Sequence, residues 1–192
     1  MKDVMIDLET FGNGKNACVV QVGAVYFNRV TGETGDVFKR NIDARSAVAS
    51  GAEMDADTVY WWMSQEKAAI DSIMQGPLDP LGETFAALNI FLSKADAIWS
   101  HATFDFVIVM ETFKRLGMKP KFSYRAARDI RTLIDLAQVD PRNPRYIREG
   151  THHDALDDAK FQVKYCVHAL TKLADGQQAW EKLKAQHREV QL

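Results

Sequence analysis

Apolar positions along the chain change their spacing several times, and each change predicts an element. Val4 to Leu8 and Ala17 to Asn28 are short runs rich in Val and Ile, separated by Gly12-Asn13-Gly14, and they predict two β-strands joined by a turn. Gly35 to Ile42 predicts a third strand, so the chain opens as an antiparallel meander. Asp55 to Gln65 reads as a helix with Asp55 or Asp57 placed to cap it. From Leu81 to Lys94 the apolar residues fall at helical spacing, with Phe85, Leu88, Phe91 and Leu92 on one face. Ala95 to Ser100 predicts a short strand, and Phe104 to Leu116 a helix that stops at Gly117. Arg128 to Thr132 predicts another short strand that leads into a helix through Ala137. Asp140 to Gly150, with Pro141 and Pro144, predicts a loop; a long helix from Asp154 to Leu173 and a separate polar helix follow. Three strands and then alternating helices and strands predict an α/β fold, a mixed sheet flanked by helices. In such sheets function gathers at strand ends and helix starts.

Composition narrows the class. With 192 residues, 46% hydrophobic and 26% charged, the chain is expected to form a single domain over 1–192, with a core to about residue 175 and a C-terminal helical extension. Its only cysteines, Cys18 and Cys166, sit among apolar neighbours and are expected to be buried free thiols, which suits a cytoplasmic protein. Charge at Lys2 and Asp3, and again at Asp7 and Glu9, argues against a signal peptide. No apolar stretch approaches the roughly 20 residues of a membrane span, so no membrane partner is expected. A net charge of −2 gives no overall attraction for nucleic acid. Between Lys119 and Arg148, however, eight basic residues face only Asp129, Asp135 and Asp140, a local excess able to track a phosphate backbone or to serve as a solvated surface.

The acids carry the chemistry. On a strand, Asp7 and Glu9 point to the same face, where two close carboxylates repel. A hard cation, Mg²⁺ or Mn²⁺, between them removes that penalty; the alternative is a strand end with two solvated acids. Asp105 stands at a helix start, where negative charge is also favourable for purely structural reasons. His152-His153-Asp154 with Asp157 and Asp158 opens the last long helix, and here too acids suit a first helical turn. In an extended segment the two histidines are expected to project to opposite sides.

Taken in order, these segments resemble the DEDD superfamily of 3′–5′ exonucleases, in the branch with a catalytic histidine. The motifs are Asp7-Leu8-Glu9-Thr10, then His101-Ala102-Thr103-Phe104-Asp105, then His153-x-Ala155-x-x-Asp158-Ala159. Thr58-Val59-Tyr60-Trp61-Trp62 with Gln65, and Arg128-Asp129-Ile130-Arg131-Thr132, are similar to segments of DexA-type phage exonucleases and of related bacterial exoribonucleases. Periodicity does not separate Asp157 from Asp158, since both lie beside the stripe of Leu156, Ala159, Val163 and Leu170; only the family spacing favours Asp158.

The resemblance implies a ribonuclease H-like fold, two Mg²⁺ or Mn²⁺ ions about 4 Å apart, and a single-stranded nucleic acid with a free 3′ end as substrate. It implies that Asp7 bridges both ions, that Glu9 and Asp158 hold the ion carrying the attacking water, and that Asp105 holds the other. His153 is then the general base and a 5′-mononucleotide the product. Thr10 belongs to the first motif, and Phe11, Trp61 and Trp62 are candidates to stack on the terminal base. Adjacent helical residues diverge by about 100°, so one tryptophan is expected in the core and the other available. Arg128 and Arg131, with Arg125, are candidates for phosphate contacts. Homodimerisation is an expectation by analogy with relatives. The competing reading is a nucleic-acid-binding module whose metal site does not turn over.

Overall fold

The first two strands are buried on both faces and lie at the centre of the sheet. The computed structural model describes residues 1–189, with side chains to residue 179. Strands β1 (Asp3–Thr10), β2 (Val19–Phe27) and β3 (Thr34–Ile42) form the antiparallel meander. Short strands β4 (Leu78–Asp79), β5 (Ala97–Ser100) and β6 (Ala127–Asp129) complete a six-stranded sheet of order β4-β3-β2-β1-β5-β6. β5 runs parallel to β1, and β6 parallel to β5. The sheet is therefore mixed, and every residue of β1 and β2 is buried.

Strand alternation divides the core. Val4, Ile6 and Leu8 point to one face and pack with α4 (Leu81–Leu92) and α5 (Asp105–Arg115) through Phe85, Leu88, Ile108 and Phe113. Met5 points to the other face, packing with α6 (Ile130–Leu136) and α7 (Ala155–Glu189) through Ile130, Val163 and Cys166. Each such buried aliphatic or aromatic side chain contributes about 1.5–3 kcal/mol. Asp7 and Glu9 follow Met5 at two-residue steps, so they emerge on the α7 side. α7 starts close to the sheet because Gly23 lies beneath it: a Cβ there would sit 2.1 Å from the carbonyl carbon of Ala155. Cys18 and Cys166 are buried free thiols.

Several boundaries differ from the sequence pattern. β1 extends through Thr10, and β2 begins at Val19, two residues after Ala17. The strand expected over Arg128–Thr132 ends at Asp129, because that side chain accepts from the Thr132 amide at 2.9 Å and from its hydroxyl, capping α6. Two helices between the meander and α4 were not read from the pattern. These are α1 (Ala44–Ala49) and α3 (Lys67–Met74), which flank the expected helix α2 (Ala56–Met63), itself capped by Asp55. No break follows Leu173: α7 is one continuous helix, running through Gly176, in place of the two expected.

Candidate active site

Three segments far apart in sequence bring their acids to the edge of the sheet where β1 and β5 end. Asp7 and Glu9 sit on β1, Asp105 opens α5 just after β5, and Asp158 lies in the first turn of α7. Oxygens of Asp7, Glu9 and Asp158 lie within 4.8 Å of one another, and so do ligand atoms of Asp7, His101 and Asp105. Asp7 belongs to both groups.

Three of the four carboxylates, those of Asp7, Asp105 and Asp158, are held by neutral donors or a single cation. Asp7 accepts from the Gln162 amide at 2.7 Å. Asp105 accepts from the backbone N–H of Leu8 at 3.2 Å on one oxygen and of His101 at 3.0 Å on the other. Asp158 pairs with Arg148 and accepts from the His153 N–H at 3.3 Å. Gln162 was not singled out in the sequence; its position one helical turn beyond Asp158, on the same face, was the available signal.

Burial leaves Asp7, Glu9 and Asp105 reluctant to ionise, and mutual repulsion adds to it at Asp7 and Glu9. Desolvation, then the neighbouring charges of Asp105, Glu9 and Asp158, hold the Asp7 carboxyl well above its ordinary range. Desolvation and the charges of Asp158 and Asp105 push Glu9 up to about 9. Burial likewise raises Asp105 to about 7, opposed by the N–H groups it accepts from. A divalent cation held by these oxygens would supply the missing positive charge, and an all-oxygen set fits a hard ion. Desolvation and the nearby Arg131 push His101 down to about 4, so its ring is neutral at physiological pH.

The three acids at the start of α7 have three distinct surroundings. Asp154 caps the helix, accepting from the N–H of Leu156 and Asp157, and pairs with Lys39. Asp157 turns back to the preceding loop, accepting from Thr151 N–H at 2.8 Å against Gly150. Asp158 alone of the three stands with Asp7 and Glu9.

The histidines depart from expectation. His153 has φ +63, a left-handed conformation uncommon outside glycine and frequent at functional sites. The segment is therefore not extended, and the two rings do not project to opposite sides. His152 and His153 stack at 3.8 Å, and both have ring nitrogens within 4.8 Å of an Asp158 oxygen and of each other. Desolvation, then His152, lowers the His153 pKa, with Asp158 opposing.

Trp61 packs edge-on against the His153 ring at 4.9 Å and, with Phe104, lines an open cavity of about 390 Å³ that also includes Glu9, Thr10 and Thr58. Trp62 is 4% exposed and donates its indole N–H to the Thr10 carbonyl at 2.9 Å, so it supports the cavity wall and the end of β1. Phe11 packs edge-on against Trp62 and against the core, outside that cavity's lining. Phe104 was missed in the sequence as an aromatic wall, although it directly precedes Asp105. Arg128 is exposed and donates to the carbonyls of Arg125 and Ala127, away from the acids, whereas Arg131 is near enough to influence both His101 and Asp105.

A mixed sheet of this order, with acids from its first strand, a mid-chain helix and the last helix converging on one edge, defines a ribonuclease H-like nuclease scaffold. Similarity to solved structures agrees at the level of fold. Exonuclease I of E. coli in complex with a dT13 oligonucleotide superposes with a TM-score of 0.58 at 14% identity, over 89% of this chain and 40% of that one. Exonuclease I of Methylocaldum szegediense gives 0.60 at 14% identity, over 84% and 38%. The nuclease domain of 3′hExo, a DEDDh family member bound to rAMP, gives 0.51 at 13% identity, over 88% and 91%. The chain thus spans about 40% of the length of these exonuclease I proteins. No curated protein sequence matches it. The chain belongs to the 3′-5′ exoribonuclease Rv2179c-like domain family, whose profile matches residues 2–170.

Proposed function

We propose that this protein is a metal-dependent 3′–5′ exonuclease that releases 5′-mononucleotides from single-stranded nucleic acid, with RNA the first substrate to test. The observation that carries this reading is the pair of ligand groups that share Asp7, within a chain of an exoribonuclease family. Asp7 would contribute to two cation positions, Glu9 and Asp158 to one and Asp105 to the other. Divalent cations there, Mg²⁺ or Mn²⁺, would stabilise charge on the entering and leaving oxygens of the phosphodiester. Gln162 fixes the Asp7 carboxylate so that its remaining lone pairs face the cluster. His153, held neutral by its surroundings, would take the proton of the attacking water. Trp61 and Phe104 would stack on the terminal base, which suits an enzyme indifferent to sequence. Arg131, at the Asp105 side, is the candidate for a phosphate contact.

The test is a labelled ladder on matched single-stranded RNA and DNA with Mn²⁺. Shortening from the 3′ end, slowed by a 3′-phosphate and insensitive to a 5′ block, is the expected result. Cleavage of a covalently closed circle, or shortening from the 5′ end, would overturn the reading. Binding without turnover would identify a non-catalytic module.

A further inference from the structure

The motif that ends in Asp105 begins with a histidine, and its ring stands in an unusual place. The His101 backbone is fixed twice: its N–H donates to Asp105 at 3.0 Å, and its carbonyl accepts from the amides of Phe104 and Asp105. This closes a tight turn at the end of β5 and turns the imidazole towards Asp7 and Asp105. Nδ1 lies 3.7 Å from Oδ2 of Asp105. That separation is too long for a hydrogen bond. It does fit two atoms bound to one cation, since ligands each about 2.1 Å from an ion lie roughly 3–4 Å apart. Among the described residues neither ring nitrogen makes a hydrogen bond, and the ring is 26% exposed on its side-chain surface. Asp105, at 1% exposure, already accepts one backbone N–H on each oxygen, and Asp7 accepts one amide N–H. The three side chains therefore offer two oxygens and one nitrogen to a common point.

We propose that His101 is a nitrogen ligand of the cation held by Asp7 and Asp105, and that it makes this position selective for first-row transition metals such as Mn²⁺ over Mg²⁺. The inference rests on the metal-dependent reading above and deepens it. Mg²⁺ prefers oxygen in a strict octahedron and binds imidazole poorly, whereas imidazole suits borderline metals. The Asp7, Glu9 and Asp158 group is all carboxylate and carries no such preference; the imidazoles of His152 and His153 group with Asp158 and not with Asp7 or Glu9. The two positions then differ in chemistry: one accepts a hard ion, and the other discriminates.

The experiment is pulsed electron paramagnetic resonance of the full-length protein loaded with Mn²⁺, without substrate. Nitrogen modulation from a coordinated imidazole is expected in the wild type. It should persist when His152 and His153 are both replaced by alanine, which removes the two imidazoles beside Asp158, and vanish in His101→Asn. Labelling histidine with ¹⁵N in the wild type should convert the signal without any substitution. By calorimetry, the ratio of Mn²⁺ to Mg²⁺ affinity should fall roughly tenfold or more in His101→Asn. An unchanged nitrogen signal in His101→Asn, no signal in the labelled wild type, or an unchanged affinity ratio overturns the proposal. A nitrogen-ligated Mn²⁺ in a protein that degrades no oligonucleotide upholds the ligand assignment while removing the exonuclease reading. Exonuclease activity with Mg²⁺ and Mn²⁺ bound equally and no imidazole signal does the reverse.

Discussion

Removing divalent cations should make this protein less stable as pH rises through neutrality. Glu9 is held protonated up to about 9 and Asp7 well above its ordinary range, whereas in the unfolded chain both ionise near pH 4. The folded state therefore binds more protons than the unfolded state across that interval, and stability must fall with rising pH. His101 and His153, whose pKa values are lowered, act in the opposite sense, but only below the ordinary histidine value of about 6.5. The buried thiols, raised to about 11 and 12, act with the same sign as the carboxyls, but only above their unfolded range. From pH 6.5 to 8 the acids at the site dominate. One carboxyl that keeps its proton across that interval is worth about 2 kcal/mol, at roughly 1.4 kcal/mol per pH unit. For a chain of this size that corresponds to a melting temperature lower by about 4–8 °C. Metal binding needs deprotonated ligands and strengthens over the same interval. At 100 times its dissociation constant, Mn²⁺ would add about 2.7 kcal/mol. Scanning calorimetry in chelator and in Mn²⁺ at each pH should give curves that diverge as pH rises, and Glu9→Gln should flatten the chelated curve. Parallel curves, or a chelated protein that gains stability from pH 6.5 to 8, would refute the idea of a buried, mutually repelling acid cluster.

Single-turnover kinetics should show His153→Ala reducing the chemical step by about 10²–10⁴, the usual worth of a positioned general base. His152→Ala should largely preserve that step but move the acid limb of the pH profile upward, because His152 is one of the groups lowering the His153 pKa; an unmoved limb would mean that the stacked ring has no electrostatic role. Asp158→Asn should abolish hydrolysis in a folded protein, whereas Asp157→Ala should retain hydrolysis and lose about 1–3 kcal/mol of stability as the buried-side bond to Thr151 is broken. Trp61→Ala should raise KM by an amount equivalent to about 1–3 kcal/mol of lost stacking, while Trp62→Ala should instead lower the denaturation midpoint, since its ring is buried under the strand end.

Features set by local periodicity were legible in the sequence. The two-residue step of Asp7 and Glu9 placed both acids on one face, and the 100° turn per helical residue correctly divided the tryptophans into one buried and one exposed. Features set by distant partners were not. Asp154, Asp157 and Asp158 look alike in a first helical turn, and what sorts them is Lys39, 115 residues away, and a loop amide at Thr151. A non-glycine residue at positive φ leaves no mark in the pattern, so the stacking of the two histidines was out of reach. Helices α1 and α3 are six and eight residues long, and α3 has no side-chain cap, so neither carries enough periods or end signals to stand out. Nothing in the sequence distinguishes Gly23 from an ordinary strand glycine; the helix packed above it is what requires it.

The distances in sequence across the site also govern when it can exist during synthesis. The bond from Asp105 to Leu8 closes 97 residues of chain, and that from Gln162 to Asp7 closes 155. Contacts of such separation form late, after the loop entropy between them has been overcome. At about 5–20 residues per second, a ribosome that has added Asp105 needs on the order of several seconds more to reach Asp158. Throughout that interval the nascent chain holds three of the four acids, Asp7, Glu9 and Asp105, without Asp158. A growing polypeptide built this way cannot complete its acid cluster until its last helix has docked on the sheet.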